Sequence, residues 1–413
     1  MGTIDFRSQT NEVLINPRMP TQQVERVRSW LSAADHLTGH VFVLTSGSTA
    51  SAHADLKWVA LSKEAVLAAA AGANAHLESR GMGEARATRK EIAYDEDSPH
   101  TGFAHATDLR DVWLHCLPDF HVGGLGIWAR AYLNGAKVVR HAAEKWSPKA
   151  FSVAALEAKA TLASLVPTQV HDLIEAGLTA PKSLRAIIVG GAALSDESYR
   201  KARILGWPVL PSYGMTEAAS QIATANLESL ATPGQYPLLS VLPHLEVAIN
   251  PVDGRICVRG ASLLTGIVKP DKSGRPVFLD PKDADGWLVT DDFGALGSTG
   301  LKVLGRIQDR VKIGGELVNL AALRRILDEE AGRLGVSQGV TLVGIPDARL
   351  ESVIALFAEI AIEPDAIAKV RKAFDARVMP YERIREVNRI ARIPRTDLGK
   401  IKWSELSALA QEQ

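Results

Sequence analysis

The chain is 413 residues long, with 46% hydrophobic and 23% charged side chains, an ordinary globular composition in a chain too long for one compact core. Its 47 basic and 47 acidic residues cancel, so the charge favours neither nucleic acid nor an anionic membrane as a partner. Cys116 and Cys257 lie in apolar runs without metal-type spacing and read as small buried hydrophobes. The first residues hold no apolar run, and Ala65–Ala75 is too short to span a bilayer. A cytoplasmic protein is expected, and a homo-oligomer stays open.

Short β-rich runs alternate with helical stretches over residues 40–215. Val41–Leu44, Val112–Cys116, Lys137–Val139, Thr161–Val166, Ala186–Val189 and Pro208–Leu210 read as strands. Lys63–Arg80, Gly124–Leu133, Pro148–Ala158, Pro167–Ala176 and Asp196–Leu205 read as helices. This alternation predicts a mainly parallel sheet in an α/β fold. Gly81–Asp108 is polar and reads as a loop. From about 240 to 305 the pattern shifts to short strands and turns, a β-rich subdomain. A boundary near Gly305–Asp309 separates a domain over 1–305 from a small α+β domain over 306–413. In the latter, Leu320–Ala331 and Pro364–Arg377 read as helices, and Val340–Ile345, Ser352–Ile360 and a run from Glu386 as strands.

Five segments carry polar chemistry. Thr45, Ser46, Gly47, Ser48 and Thr49 follow an apolar strand, and such a loop offers donors to phosphate oxygens. No Gly-Lys-Ser/Thr follows, so it is not the P-loop pattern, and a plain surface turn competes. Ser212, Tyr213, Gly214, Met215, Thr216 and Glu217 combine an aromatic platform, a glycine, a hydroxyl and a carboxylate able to hold Mg²⁺. A core aromatic and a helix-start acid explain them equally well. Thr290-Asp291-Asp292 reads as a turn whose carboxylates can accept ribose hydroxyls, or as a bare Asx turn. Gly305-Arg306-Ile307-Gln308-Asp309 with Lys312, Gly314, Gly315 and Glu316, and then Pro394-Arg395-Thr396-Asp397-Leu398-Gly399-Lys400, complete the set.

In this order the segments resemble the motifs of the adenylate-forming superfamily of acyl-CoA synthetases, adenylation domains and luciferases. Gly190, Gly191 and Ala192 are similar to its adenine-side segment, and Leu117–His121 to its acyl-site segment. The run His121–Arg130, with Gly123 and Gly124, then Ser164–Gln169, Thr216–Ile222 with Ser220 and Gln221, and Gly314–Glu316 look most like the o-succinylbenzoate–CoA ligase branch.

The resemblance implies an acid–thiol ligase using ATP, Mg²⁺ and coenzyme A, with a small-molecule carboxylic acid as substrate. It implies a shortened N-terminal region, since the phosphate loop starts at Thr45. It assigns the β/γ-phosphates to Thr45–Thr49, Mg²⁺ to Glu217, adenine to Tyr213 and the ribose to Asp292 with Arg306. Lys400 serves adenylation. His121, Gly123, Gly124, Arg130, Ser220 and Gln221 lie on the acyl side, and Lys312–Glu316 on the thiol side after the small domain swings about Gln308.

The chain departs from the pattern at four places. Ala50 replaces the last loop glycine, Ser51–Leu56 intervene before Lys57, Asp291 stands for a glycine, and Gln308 for Asp or Lys. Either Lys57 takes the loop lysine's role or that role is lost. Loading of a carrier protein and a non-catalytic nucleotide-binding relative are the alternatives.

Overall fold

The computed structural model describes residues 4–46, 56–78, 111–141, 145–232, 234–336, 339–396 and 399–411. Gly47, Ser48, Thr49 and nearly all of the expected loop Gly81–Asp108 lie outside them.

The N-terminal part opens with β1 (Glu12–Leu14), α1 (Thr21–Ser29), β2 (His40–Ser46), β3 (Leu56–Ser62) and α2 (Lys63–Glu78). It continues through β4 (Val112–His115), α3 (Val122–Asn134), β5 (Lys137–Arg140), α4 (Pro148–Glu157), β6 (Leu162–Leu165), α5 (Pro167–Glu175), β7 (Ala186–Val189), α6 (Asp196–Ile204), β8 (Val209–Met215), β9 (Ser220–Thr224) and β10 (Ser240–Val241). These last strands form one sheet in the order β10-β9-β8-β7-β6-β4-β5. Strands β5, β4, β6, β7 and β8 run parallel, with helical crossovers between them. The Ile/Val/Leu/Ala runs that predicted these strands are those of a sheet buried on both faces: Ala186–Val189 is buried throughout. Pro148 and Pro167 start α4 and α5, where a missing N–H costs nothing. The expected strand at Pro208–Leu210 runs on to Met215, because β9 returns antiparallel beside it.

A four-stranded sheet follows, made of β11 (Leu245–Ile249), β12 (Arg255–Gly260), β15 (Leu288–Gly297) and β16 (Gly300–Arg306). The hairpin β13 (Gly266–Pro270) and β14 (Pro276–Leu279) instead completes the β1-β2-β3 sheet. This corrects the expected turn at Thr290-Asp291-Asp292, which is strand: ladder bonds to β12 and β16 hold it extended.

The C-terminal part has its own core. The hairpin β17 (Arg310–Ile313) and β18 (Glu316–Asn319) leads into α7 (Leu320–Gly332), β19 (Val340–Asp347), β20 (Glu351–Glu359), α8 (Pro364–Asp375), β21 (Ile384–Ile390) and α9 (Trp403–Gln411). Alternation along β20 sends Ile354, Leu356 and Ala358 to α7 and α8, and Val353, Ala355 and Phe357 to Leu406 of α9. Among the described residues no helix is long and apolar enough to cross a membrane.

Candidate active site

The candidate residues converge where β7, β8, β15 and β16 end. Asp292 and Arg306, fourteen positions apart in the chain, are direct cross-strand partners in β15 and β16. Arg306 Nε lies 2.8 Å from Asp292 Oδ1, and Tyr213 Oη donates to Oδ2 at 2.8 Å. Asp292 is only 4% exposed, while Asp291, on the other face of the strand, is open to solvent. Burial, then the Asp292 charge, push the Tyr213 hydroxyl far above the usual tyrosine range, so it stays a donor to Asp292.

That geometry separates the two aspartates. Asp292→Asn is expected to weaken ATP binding by ~2–4 kcal/mol, because a charged acceptor in a buried network is lost. Asp291→Asn should be nearly silent. Calorimetric titration with ATP decides this, and a response at 291 but not at 292 would overturn the expectation that Asp292 holds the ribose.

Gly214 is fixed by sterics. A Cβ there would lie 1.8 Å from the Ser220 carbonyl oxygen, at the irregularity where β8 meets β9. Backbone on the far side cannot yield as a side chain can, so Gly214→Ala should destabilise the fold by ~1–3 kcal/mol or more. A melting curve unchanged from the wild type would contradict this. Across that contact, Ser220 carries φ +127°, a strained conformation of the kind held at ligand sites. Thr216 and Glu217 occupy the short 3₁₀ turn between β8 and β9.

Lys57, which stands at one of the sequence departures, has a defined place in the fold. The β2–β3 ladder sets it opposite Thr45, and its Nζ donates to Glu217 Oε1 at 2.7 Å. A lysine thus stands beside Thr45, where the expected phosphate loop starts, in spite of the six intervening residues. Among the described residues the Thr45 hydroxyl is buried without a hydrogen-bond partner, as a group awaiting an acceptor would be. Glu217 suits Mg²⁺, which takes one or two carboxylates and completes its shell with phosphates and water.

Lys400 reaches this cluster from the C-terminal part. Its stem lies against Gly191: a methyl built there would be 3.6 Å from Lys400 Cε. Gly191 has φ +88°, which glycine adopts without strain and which turns the Gly190–Ala192 segment away after β7. Gly399 packs on Thr168 of α5 so closely that a Cβ would sit 2.3 Å from its Oγ1. Burial pushes the Lys400 ammonium below the usual lysine range, and Arg306 adds to this. Asp292 and Glu217 pull the other way. The residue as a whole stays solvent-exposed, so it stands at the mouth of the site.

Among the residues expected on the acyl side, His121 precedes α3 with its ring 4.5 Å from Phe120. Gly123 and Gly124 form the first turn of α3. A Cβ on Gly124 would lie 2.2 Å from Pro118 O, which pins the Leu117–His121 segment. Arg130 is not a solvated helix arginine: it is 3% exposed. Its guanidinium lies over Gly126, as the i, i+4 spacing requires, and 5.3 Å from the Trp113 ring. Nη2 donates to Gln221 Oε1 at 2.6 Å, whereas Nε and Nη1 are buried without partners among the described residues. Burial pushes this guanidinium down to about 10, so it stays charged at neutral pH.

Sequence patterns missed the supports of this arrangement. Thr224, fully buried, bonds both the Ser212 hydroxyl, at 2.9 Å, and Gln221 Nε2, at 2.6 Å. The Ser212 hydroxyl is therefore turned into the sheet. Asn74 Nδ2 donates to Arg130 O at 3.1 Å across α2 and α3. No motif marks these residues, since each acts through a neighbour remote in sequence. Lys312, Gly314, Gly315 and Glu316 lie on the exposed β17–β18 hairpin, where the Gly314 amide bonds Leu350 O. Gln308 sits in the short turn between β16 and β17, and its side chain is outside the described residues.

The family model for the AMP-binding enzyme matches residues 22–268, and the chain belongs to that family. Its relatives include the 2-succinylbenzoate–CoA ligase of Bacillus cytotoxicus, 32% identical over 242 residues, which are 55% of this chain and 49% of that protein. The enzyme of the same name from Listeria monocytogenes is 28% identical over 304 residues, 72% of this chain and 61% of that one. The chain thus spans about half to three-fifths of the length of these curated relatives. Among solved structures, the o-succinylbenzoate CoA synthetase of Bacillus subtilis in complex with its acyl-adenylate intermediate superposes with a TM-score of 0.69 at 23% identity, covering 89% of this chain and 68% of that one. The likeness shows a shared fold.

Proposed function

We propose that the protein is an ATP-dependent acid–CoA ligase whose acid is 2-succinylbenzoate or a close aryl dicarboxylate. The observation that carries this reading is the seating of Lys400, from the C-terminal part, against Gly191 with Gly399 packed on Thr168, on the side of the molecule where Asp292 and Arg306 pair. A carboxylate is a poor electrophile. Its oxygen attacks the α-phosphorus of ATP, a new O–P bond forms, and the bond to pyrophosphate breaks. Thr45 and Lys57 hold the phosphate tail, Asp292 and Arg306 the ribose, and Lys400 meets the charge developing between carboxylate and phosphate. Glu217 would hold Mg²⁺, which when bound would supply neutralising charge to the phosphates.

The C-terminal part then rotates about Gln308 and withdraws Lys400. The Lys312–Glu316 hairpin takes its place beside an incoming thiolate. The thiolate attacks the acyl carbon and AMP leaves. The relatives' printed substrate and the buried, half-satisfied Arg130 support a substrate with a second carboxylate.

ATP–pyrophosphate exchange across a panel of aryl mono- and dicarboxylates tests the reading. Exchange stimulated by 2-succinylbenzoate, followed by thioester formation with free CoA, is expected. Exchange without a CoA thioester would move the acceptor to a carrier protein. No exchange with any acid would leave a nucleotide-binding relative without the reaction.

A further inference from the structure

Gln221 and Thr224 stand three positions apart on β9, and in a regular strand their side chains would face opposite sides of the sheet. They share a side because the β8–β9 ladder carries an extra residue. Tyr213 pairs with Ala223 and Gly214 with Gln221, so Ile222 has no opposite number on β8. Such a bulge re-aims the side chains beside it. Here it brings Gln221 Nε2 to 2.6 Å from Thr224 Oγ1. Ser212, the cross-strand partner of Thr224, meets the same hydroxyl at 2.9 Å.

Donor counting gives every bond of this network a direction. Arg130 can only donate, so Gln221 turns its amide oxygen to Nη2. The amide nitrogen then faces Thr224, whose oxygen accepts. The Thr224 proton is left for Ser212, and the Ser212 hydroxyl donates to Ala223 O at 3.3 Å. The chain runs one way, from the guanidinium to the β9 backbone. Bonds aligned head to tail in a dry site strengthen one another, and both Gln221 and Thr224 are buried. Gly126 leaves the room, since a Cβ there would lie 3.2 Å from Nη2. One accepted bond leaves the second Nη2 hydrogen, and with it a complete two-donor edge of the guanidinium.

We propose that Gln221 and Thr224 are positioning residues for acid specificity, a neutral mount that turns Arg130 toward a substrate carboxylate without neutralising it. The inference rests on the dicarboxylate reading of Arg130 given above. Among the described residues no carboxylate pairs with Arg130, and burial is what shifts its guanidinium. A glutamate at 221 would accept the same bond but pair the charge, so an arriving carboxylate would find the guanidinium already engaged. A glutamine without Thr224 is free to turn its amide and set Nε2 against the guanidinium, donor to donor. The Thr224 oxygen prevents that turn.

Pyrophosphate exchange is measured with 2-succinylbenzoate and with a benzoate-like monoacid. Thr224→Val keeps the shape and deletes the hydroxyl. It should raise the KM for 2-succinylbenzoate by about tenfold, the scale of one lost buried hydrogen bond. Its kcat, its KM for ATP and its exchange with the monoacid should stay within about twofold of wild type, the pattern of lost binding without lost chemistry. Thr224→Ser retains the hydroxyl and should restore the dicarboxylate KM to within about threefold. Gln221→Glu should raise the same KM by about tenfold or more, and it tests the mount even where Thr224→Val folds poorly. Arg130→Leu is measured beside them. A wild-type dicarboxylate KM in folded Thr224→Val or Gln221→Glu, with Arg130→Leu impaired, overturns the mount alone. So does equal loss for mono- and dicarboxylates, or a Thr224→Ser variant as impaired as Thr224→Val. An Arg130→Leu enzyme with an unchanged dicarboxylate KM removes both the mount and the reading beneath it.

Discussion

Lys400→Ala should reduce acid-dependent pyrophosphate exchange by roughly 10²–10³-fold or more, the range for losing one preorganised charge at a reacting centre. Thioester formation from supplied acyl-adenylate should survive. On the proposed function the asymmetry arises because Lys400 lies outside the N-terminal part that would hold the nucleotide. It arrives on the Pro394–Lys400 loop, and Gly399 against Thr168 and the Lys400 stem against Gly191 seat it. On the proposed function, a group so delivered would contribute while the C-terminal part holds it at the site and nothing once that part withdraws. Lys400→Arg keeps a charge but enlarges the head, and the tight seat at Gly399 and Thr168 leaves little adjustment, so weak rescue is expected. An equal fall in both half-reactions would give Lys400 a role in the fold instead.

Arg130→Leu should raise the KM for an aryl dicarboxylate by an amount corresponding to ~2–4 kcal/mol, with ATP affinity unchanged. A guanidinium has five N–H donors, and the three on Nε and Nη1 have no partner among the described residues although they are buried. Leaving a charged donor set unsatisfied is costly. A carboxylate arriving between α3 and β9 would remove that cost, and a guanidinium matches its two oxygens as lysine cannot. The same variant should be indifferent to benzoate-like monoacids, and this control separates recognition from damage. A leucine also relieves the buried charge, so the melting temperature should not fall in parallel with dicarboxylate affinity. Loss of mono- and dicarboxylate turnover to the same degree would make Arg130 a packing element and withdraw support for the dicarboxylate reading.

The parallel sheet and its crossover helices were legible because buried strands demand Val, Ile and Leu runs, and helix starts demand residues such as Pro148 and Pro167. Strand Ala186–Val189 lies where its residues predicted it, and the boundaries of α4 and α5 move by a single residue at their C-termini. The polar segments were legible as chemistry because their side chains have few other reasons to be clustered beside glycines. What the sequence by itself could not hold was pairing. The Asp292–Arg306 partnership depends on the β15–β16 register, and the same register turned an expected turn into strand. Lys57 reaches Glu217 only because the hairpin ladder returns it beside Thr45. Arg130 looks alike in sequence whether buried or solvated; packing of α3 against Trp113, Asn74 and Gln221 buried it. The meeting of Glu197 with Gly332 joins two cores 135 residues apart in the chain, and local propensity carries no record of such contacts. Periodicity and residue type set the elements, since both act within a few residues. Register and the docking of one core on another set the site, because those are decided by which complementary surfaces remain once the elements have formed.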